Sequence, residues 1–221
     1  MENKVIINQC QRCGTCCHKG GPALHIQDKE LLLAGNISYR DLVTLRKGER
    51  AYSPLTGKIE PIEQELVKIS GKEGEWTCRF IGEDLLCGIY GNRPLECRLL
   101  KCWDPDELLG VINKDLISRL DIIHPDDPII GLLQEHDQEC GCVIIDGLAV
   151  RVLQSNGDQE TLEELNKIVR KDLAIRARAN EEYGITMEVE MFLFGRPVFI
   201  FLSSYGFSAY ENEGEIYLKR M

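Results

Sequence analysis

Length, composition and charge limit what this chain can be. With 221 residues, of which 43% are hydrophobic and 28% are charged, it is long enough to bury a core as one large domain or two small ones. Its formal net charge of −10 argues against non-specific nucleic-acid binding, because that activity needs a basic surface.

The length of the apolar stretches and the first residues of the sequence indicate the cellular compartment. No stretch of about 18 uncharged apolar residues occurs, so we expect no membrane span. Residues 1–5 lack the basic-then-apolar pattern of a signal segment. We therefore expect a cytoplasmic chain whose thiols are kept reduced.

The first half of the chain predicts short elements joined by turns. Residues 1–25 are rich in Cys, Gly and Pro and predict a ligand loop rather than a regular element. Spacing and capping residues then predict two helices, over 27–35 and 38–45, the second capped by Ser38 with Asp41 three residues later. Residues 53–57 predict a turn. Apolar and aromatic runs predict strands over 66–69, 76–81 and 85–89.

The next part predicts helices. Pro94 suits the first turn of a helix that should run to about Cys102. Asp104 and Pro105 start another, through Leu120, and a short helix follows over 128–139. Residues 140–152 give no clear signal.

The last part predicts one long helix and then strands. Residues 159–183 are apolar at helical spacing and are followed by Gly184 as a stop. The aromatic and β-branched tail over 187–218 predicts mostly strands, with helix and strand undecided over 187–193 and a short strand over 198–202.

These elements predict an α+β fold. It comprises a Cys-rich metal-binding loop, a small antiparallel sheet, several helices and a β-rich C-terminal segment. We divide it into a cysteine-cluster metal-binding domain, residues 1–145, and a C-terminal region, residues 146–221, packed on the first part.

Ten cysteines are the most informative feature of the sequence. They suit zinc or an iron–sulfur cluster, because no matching set of histidines or carboxylates accompanies them. Two-residue gaps in the first run let successive thiolates turn toward one ion or cluster. Disulfides or idle thiols are the alternative, which a reducing compartment disfavours. The candidate metal ligands are Cys10, Cys13, Cys16, Cys17, Cys78, Cys87, Cys97, Cys102, Cys140 and Cys142.

Seven of these cysteines lie in a recognisable pattern. Cys10-x2-Cys13-Gly-x-Cys16-Cys17 is followed by Cys78 and by Cys87-Gly-Ile-Tyr-Gly-Asn-Arg-Pro-Leu-Glu-Cys97-Arg. Over about residues 10–102 this pattern resembles the YkgJ-type cysteine-cluster family, which is described as a zinc- or iron-chelating domain and is often labelled an iron–sulfur-cluster protein. The resemblance implies that the seven cysteines bind the cofactor. A distant similarity, on the cysteines alone, reaches the flagellin lysine methylases.

The remaining candidates depend on local geometry. Adjacent Cys16 and Cys17 have diverging side chains, which suit a multi-iron cluster or two neighbouring metals. Cys97, early in a helix and near arginines, should have a lowered pKa. On an intact helix Cys102 would point roughly 140° away from Cys97, so the two should share a metal only if the helix ends near Lys101.

Cys102, Cys140 and Cys142 fall outside the family pattern. They could complete a second site with a member of the first group, or Cys102 could be a small buried hydrophobe. Among the histidines, His18 directly follows the cysteine run and is the one to test as a ligand.

The leading hypothesis is an iron–sulfur protein with one or two clusters, [4Fe–4S] favoured. It would act in electron transfer or as a redox-linked accessory to a redox or substrate protein. The alternatives are a structural zinc-binding interaction module, a metal- or cluster-dependent protein-modifying enzyme and a thiol-based redox sensor. The sequence assigns no catalytic residue and no oligomeric state.

Overall fold

The structure is a computed structural model that describes residues 10–72, 75–155 and 158–221. The helices in this part of the chain are α1 (Thr15–His18), α2 (Lys29–Leu33), α3 (Leu95–Leu99), α4 (Asp106–Leu109), α5 (Arg119–Ile122), α6 (Ile129–Glu139), α7 (Cys142–Gln154), α8 (Gln159–Tyr183), α9 (Met187–Leu193) and α10 (Val198–Ser203). The strands are β1 (Leu42–Leu45), β2 (Arg50–Ser53), β3 (Lys58–Pro61), β4 (Leu66–Ile69), β5 (Phe207–Asn212) and β6 (Glu215–Arg220). The fold is α+β, as the sequence predicts.

The strands form antiparallel pairs. β1 pairs with β4, with Leu42 opposite Ile69; β2 pairs with β3; and β5 pairs with β6. The β2–β3 hairpin turns at the predicted residues 53–57. The predicted strand over residues 66–69 is β4, and its alternation of buried and half-buried residues puts Val67 and Ile69 in the core.

The long helix α8 organises the core. Its buried residues recur at three- and four-residue spacing, including Leu165, Val169, Ile175 and Ala179. α6, α7 and β6 pack against it. Gly184 ends the helix at φ 64°, a backbone conformation that favours glycine. The helix begins and ends where the sequence predicts.

The predicted helix over residues 38–45 is wrong, although its capping signal is correct. The Ser38 backbone N–H donates to Asp41 Oδ2 at 2.8 Å, and residues 39–41 form a single 3₁₀ turn. The chain then enters β1, which pairs with β4 and packs against α9. Pairing partners that are distant in the sequence outweigh the local helical signal.

Regular structure is sparser than predicted between residues 71 and 123. The predicted strands over residues 76–81 and 85–89 are reduced to turns with isolated bridges, Gly71 to Cys78 and Ile81 to Cys87. α3 ends at Leu99 rather than near Cys102. The long helix predicted from Asp104 to Leu120 is replaced by α4, an irregular stretch and α5.

The irregular stretch between α4 and α5 contains two non-glycine residues with positive φ, Asn113 at 62° and Asp115 at 47°. A continuous α-helix excludes such conformations. The apolar residues that predicted one long helix are therefore divided between α4, α5 and the irregular stretch that joins them.

The tail is partly helical. Residues 187–193, which the sequence leaves undecided, form α9, and the predicted strand over residues 198–202 is helix α10. Phe201 and Leu202 are buried, as expected of an apolar run, but the prediction that they lie in a strand is wrong. Only the last part of the tail forms the predicted strands, β5 and β6.

Residues 140–152, for which the sequence gives no clear signal, belong mostly to α7. This helix spans residue 145, the end of the predicted first domain, and the division into two domains stays a prediction. Within the described ranges, no helix combines the length and the apolar composition that crossing a membrane requires.

Candidate metal centre

Eight of the ten cysteines line one cavity of about 550 Å³. The eight comprise the seven cysteines of the family pattern and Cys102, as follows: Cys10, Cys13, Cys16, Cys17, Cys78, Cys87, Cys97 and Cys102. Among the described residues, the lining includes one carboxylate, Glu96, and no histidine. The cavity therefore offers mainly soft thiolate ligands.

A sharp bend at Gly14 places the adjacent cysteines. Gly14 has a φ of 73°, and a Cβ at this position would lie 2.9 Å from Ile81 Cδ1. The bend leads into α1, which contains Cys16 and Cys17. Their Sγ atoms are 3.9 Å apart, and both cysteines line the same cavity. The predicted loop therefore contains a short helix.

Cys78 and Cys87 are held by backbone contacts with neighbouring segments. The Cys78 N–H donates to the Cys17 carbonyl at 2.7 Å, which ties the second segment to the first cysteine run. Cys87 pairs with Ile81 through an isolated bridge. The tight turns of residues 76–89, rather than a sheet, bring these thiols to the cavity.

Two buried or half-buried carboxylates clamp the helix that contains Cys97. Asp28 Oδ1 accepts from the Leu95 N–H at 2.8 Å, and Glu96 Oε2 accepts from the Ala23 N–H at 2.8 Å. Asp28 is fully buried and also accepts from the His25 N–H at 3.0 Å. These contacts join α3 to the loop after the cysteine run. The sequence did not predict this clamp, because its partners lie about 70 residues apart in the chain.

Cys102 shares the cavity with Cys97 because α3 is short. α3 ends at Leu99, so the 140° separation expected on an intact helix does not apply. Cys102 lies at the tip of a turn closed by the Lys101–Asp104 bridge, and it is exposed. The alternative that Cys102 is a buried hydrophobe is wrong.

Burial and mutual repulsion keep the deeper thiols protonated. Burial, followed by the charge of Cys16, raises the pKa of Cys17 to about 12. Burial also raises the pKa of Cys78 and strongly raises that of Cys97, with further contributions from the other cavity cysteines. A bound cation would offset both the burial of charged thiolates and the repulsion between them, because it replaces the protons and neutralises the thiolates.

The lowered pKa predicted for Cys97 is therefore wrong. Burial outweighs the dipole of a five-residue helix, and the two arginines have other partners. Arg93 lies 3.9 Å from the Tyr90 ring centroid and contacts the Cys97 carbonyl rather than its sulfur, while Arg98 pairs with Asp28. By contrast, a hydrogen bond with Thr15 at 3.2 Å lowers the pKa of the Cys13 thiol.

Cys140 and Cys142 do not line this cavity. Cys140 is fully buried beside His136 and Asp172, and one potential ligand atom from each of the three lies within 4.8 Å of the others. His136 Nε2 is 2.7 Å from Asp172 Oδ1, which also accepts from Arg176. Arg46 contacts the Cys140 carbonyl at 2.8 Å. Two guanidinium groups thus surround this cluster, and they disfavour a cation there.

Cys142 lies in a second, smaller cavity with Arg46 and Arg119. Burial raises the pKa of its thiol to about 11. A site that joins Cys140 or Cys142 to the first group stays a prediction. His18 is exposed and is not among the residues that line the main cavity.

Comparison with known proteins identifies the cysteine-rich part of the chain. Residues 9–115 match a family model named CxxCxxCC and described as a "putative zinc- or iron-chelating domain". Over this segment, just under half of the chain, the sequence is similar to the CxxCxxCC family. The name is the spacing of Cys10, Cys13, Cys16 and Cys17, and the match confirms the resemblance seen in the sequence.

The CxxCxxCC segment includes all eight cysteines of the cavity and ends before Cys140. No curated protein and no solved structure matches the chain. The family description and the thiolate cavity support metal binding by this segment.

Proposed function

We propose that the CxxCxxCC segment binds an iron–sulfur cluster, of [4Fe–4S] type, and that the chain acts in electron transfer or as a redox-linked accessory to another protein. The ligands would come from Cys10, Cys13, Cys16, Cys17, Cys78, Cys87 and Cys97, with Cys102 in the same cavity. The observation that carries the proposal is a single cavity lined by eight thiols, with one carboxylate and no histidine among its described lining residues.

The spacing of the sulfurs favours a cluster over a single ion. A zinc–sulfur distance of about 2.3 Å places the ligands of a tetrahedral zinc site about 3.8 Å apart. Cys16 and Cys17, at 3.9 Å, have this spacing. Yet across the described residues, the only set of three or more ligand atoms within 4.8 Å of one another is His136, Cys140 and Asp172.

No three sulfurs of the cavity are therefore arranged around one ion. Five of the thiols are nevertheless close enough for their charges to affect the pKa of Cys17 or Cys97, namely Cys16, Cys17, Cys78, Cys87 and Cys97. A polynuclear cluster holds its protein ligands farther apart than a single ion does, because its own metal and sulfide atoms lie between them.

Positive charges around the cavity suit an anionic thiolate site. Arg12, Lys19 and Arg93 line it. The Arg12 and Arg93 guanidinium groups lie 4.5 Å and 3.9 Å from the Tyr90 ring centroid. The aromatic ring holds both charges beside the thiols, where they would offset the negative charge of the bound cluster.

Each part of the cavity has a role in the proposed function. The cluster would supply one-electron redox chemistry when bound. The cysteines would hold it, the arginines would stabilise its charge, and apolar residues such as Ile69 and Phe80 would limit water access. The reducing cytoplasm that we expect for this chain would keep the thiols available.

A structural zinc module is the second candidate. The 3.9 Å spacing of Cys16 and Cys17 fits one edge of a zinc site. In that case the metal would hold the CxxCxxCC segment in shape for a protein partner, without redox activity.

The deciding experiment is the iron, zinc and acid-labile sulfide content of anaerobically purified protein, with a visible absorption spectrum of the same sample. The proposal expects a brown protein with about four iron and four sulfide per chain. Colourless protein with stoichiometric zinc and no sulfide would reject the cluster in favour of the zinc module.

A further inference from the structure

The second cavity, of about 350 Å³, lies where the turn between β1 and β2 meets the start of α7. The turn contributes Arg46 and Lys47, and α7 contributes Cys142, Val143 and Ile144. A cavity of this size can hold a small organic molecule. It is separate from the thiolate cavity, because the two have no described lining residue in common.

The start of α7, a helix of 13 residues, has hydrogen-bond donors without acceptors. Its N-cap residue is Gly141, which has no side chain that could accept from the first turn. Within the described ranges, the N–H groups of Cys142 and Val143 have no hydrogen-bond partner, and the first turn contains no acidic residue. These N–H groups and the helix dipole together favour a bound anion.

Arg46 is a second and independent indication of an anion. It lines the cavity, although only 4% of the residue is exposed. Its Nη1 donates to the Cys140 carbonyl at 2.8 Å, which holds the guanidinium group beside the start of α7. Its Nε is buried and has no hydrogen-bond partner among the described residues. An unpaired donor on a buried cation costs free energy, which an anionic acceptor would recover.

The charged side chains of the lining leave the cavity with a positive excess. Arg119 also lines it, but its guanidinium group is paired with Glu65 at 2.6 Å and with Asp137 at 2.9 Å. Lys47 is exposed and forms no ion pair in the described part of the chain. Three cationic side chains thus face two carboxylates. Arg46 and Lys47 are available to an anion, whereas Arg119 is occupied.

Gly48 lets the turn approach the helix closely. Its φ is 88°, and a Cβ at this position would lie 2.6 Å from Val143 Cγ2. Its N–H donates to the Ile62 carbonyl at 2.9 Å, which fixes the turn from the other side. A residue with a side chain would push the turn away. Glycine here therefore keeps the neighbouring Lys47 beside the first turn of α7.

We propose that the second cavity binds a phosphate group, either as the free ion or as a small phosphate monoester. The N–H groups of Cys142 and Val143, together with Arg46 and Lys47, hold its oxygens. Several N–H donors and a guanidinium group suit an oxyanion that offers several acceptors. Val143 and Ile144, which are 64% and 56% exposed, would contact the organic part of an ester. This inference does not depend on the metal centre.

The test is titration calorimetry of the metal-loaded protein with inorganic phosphate and with phenyl phosphate, at a constant ionic strength set with chloride. Amide NMR of the same titrations locates the ligand, and we expect the signals of Cys142 and Val143 to shift. Tighter binding of phenyl phosphate would identify a site for an ester. Tighter binding of inorganic phosphate would identify a site for the free ion.

Gly141→Asp places a carboxylate at the N-cap, where it would itself accept from the N–H groups of the first turn. We expect phosphate binding to weaken at least about tenfold. The variant should fold, because aspartate is favoured at an N-cap and the new Cβ would lie 3.4 Å from its nearest neighbour, the Asp137 carbonyl. Gly141→Ala is the matched control, which adds the Cβ without the carboxylate and should bind as the wild type does.

Lys47→Ala removes the exposed cation of the site. It should weaken phosphate binding by about threefold, since an exposed charge contributes little. Lys58→Ala is its control, because Lys58 is also exposed, lies on β3 and does not line the cavity. It changes the net charge equally and should leave phosphate binding unchanged.

Four results would overturn the proposal. The first is no binding of either ligand by the wild type, and the second is amide shifts confined to other parts of the chain. The third is equal loss of binding in Gly141→Asp and Gly141→Ala. The fourth is equal weakening by Lys47→Ala and Lys58→Ala. None of these measurements reports on the metal content or its redox activity, so failure here is distinct from failure of the proposed function.

Discussion

The cysteine-rich region, residues 10–109, and the helical region, residues 129–221, are built in different ways. The first has helices of four or five residues, and eight thiols around a cavity. The second has the 25-residue helix α8 with α6, α7 and β6 packed on it. Helices as short as those of the first region are not stable by themselves, whereas a long amphipathic helix is stabilised by packing. We infer that the cysteine-bearing segments of the first region depend on their metal, although Leu42, Val67 and Ile69 of that region share one apolar core with the second.

Metal removal should have the largest effect and should separate the two regions. When a chelator removes the metal, the thiols of Cys17, Cys78 and Cys97 should become protonated, and the metal–sulfur bonds that join their segments should be lost. We expect backbone amides over residues 75–108 to lose protection, while those of α8 stay protected. Hydrogen exchange followed by mass spectrometry measures both regions in one sample.

The same sample, reloaded with metal, is the control and should recover its protection. Unchanged protection over residues 75–108 in the metal-free protein would show that the first region folds without its metal.

A core substitution should have the opposite pattern. Leu165 on α8 is fully buried, so Leu165→Ala should lower the free energy of unfolding by about 2–5 kcal/mol through lost burial and a cavity. Metal content per folded chain should not change. Urea unfolding and metal analysis test the two statements.

Glu164→Ala is the matched control for Leu165→Ala, because Glu164 is the exposed neighbour on the same helix. It should change stability by no more than about 0.5 kcal/mol. Loss of metal from folded Leu165→Ala protein would show that metal retention depends on the packing around α8.

The buried charge cluster of the helical region should give it a dependence on pH. Burial opposes the charge of Asp172, but the hydrogen bond from His136 and the charge of Arg176 outweigh it and lower its pKa. A carboxyl group whose pKa is lower in the folded state stabilises the protein above its unfolded-state pKa, about 4, and loses this contribution as pH falls through the folded-state value.

We therefore expect Asp172→Asn to lower the free energy of unfolding by about 3 kcal/mol at pH 7, because it removes the buried carboxylate beside Arg176 and leaves that guanidinium with Glu190, 3.6 Å from its Nη1. The difference from the wild type should shrink as the pH falls below about 4. Urea unfolding across this pH range measures how the stability difference changes with pH. A difference that grows toward acid pH would contradict the prediction.

Gly14→Ala should have the smallest effect on stability and a specific effect on metal binding. Its positive φ is strained for alanine, and the new Cβ would lie 2.9 Å from Ile81 Cδ1. We expect a loss of about 1–2 kcal/mol and weaker metal retention, since α1 and its two cysteines would shift. Metal content after dialysis against a chelator measures the second effect.

Gly35→Ala separates strain from displacement. Gly35 has a φ of 70°, close to that of Gly14, but nothing lies within 4 Å of its Cβ position. It should show the backbone strain without the metal loss. Equal metal loss in both variants would count against a positioning role for the Gly14 bend.

Signals that act within a few residues were predictable from the sequence. Apolar spacing and a glycine stop identified α8 with its observed bounds. The Ser38–Asp41 capping box was also correct, although the chain continues into β1 rather than into a helix. The spacing of the cysteines identified the family and most of the cavity.

Contacts between distant segments decided the rest. Cys102 joins the cavity and Cys140 and Cys142 lie elsewhere, because α3 ends at Leu99 and because α6 and α7 pack on α8. The high pKa of Cys97 results from burial by neighbours that its own sequence segment does not specify. The sequence by itself therefore determined which ligands are available, since ligand type and spacing are local. Only the tertiary structure decided which of them meet, because burial and packing depend on residues far apart in the chain.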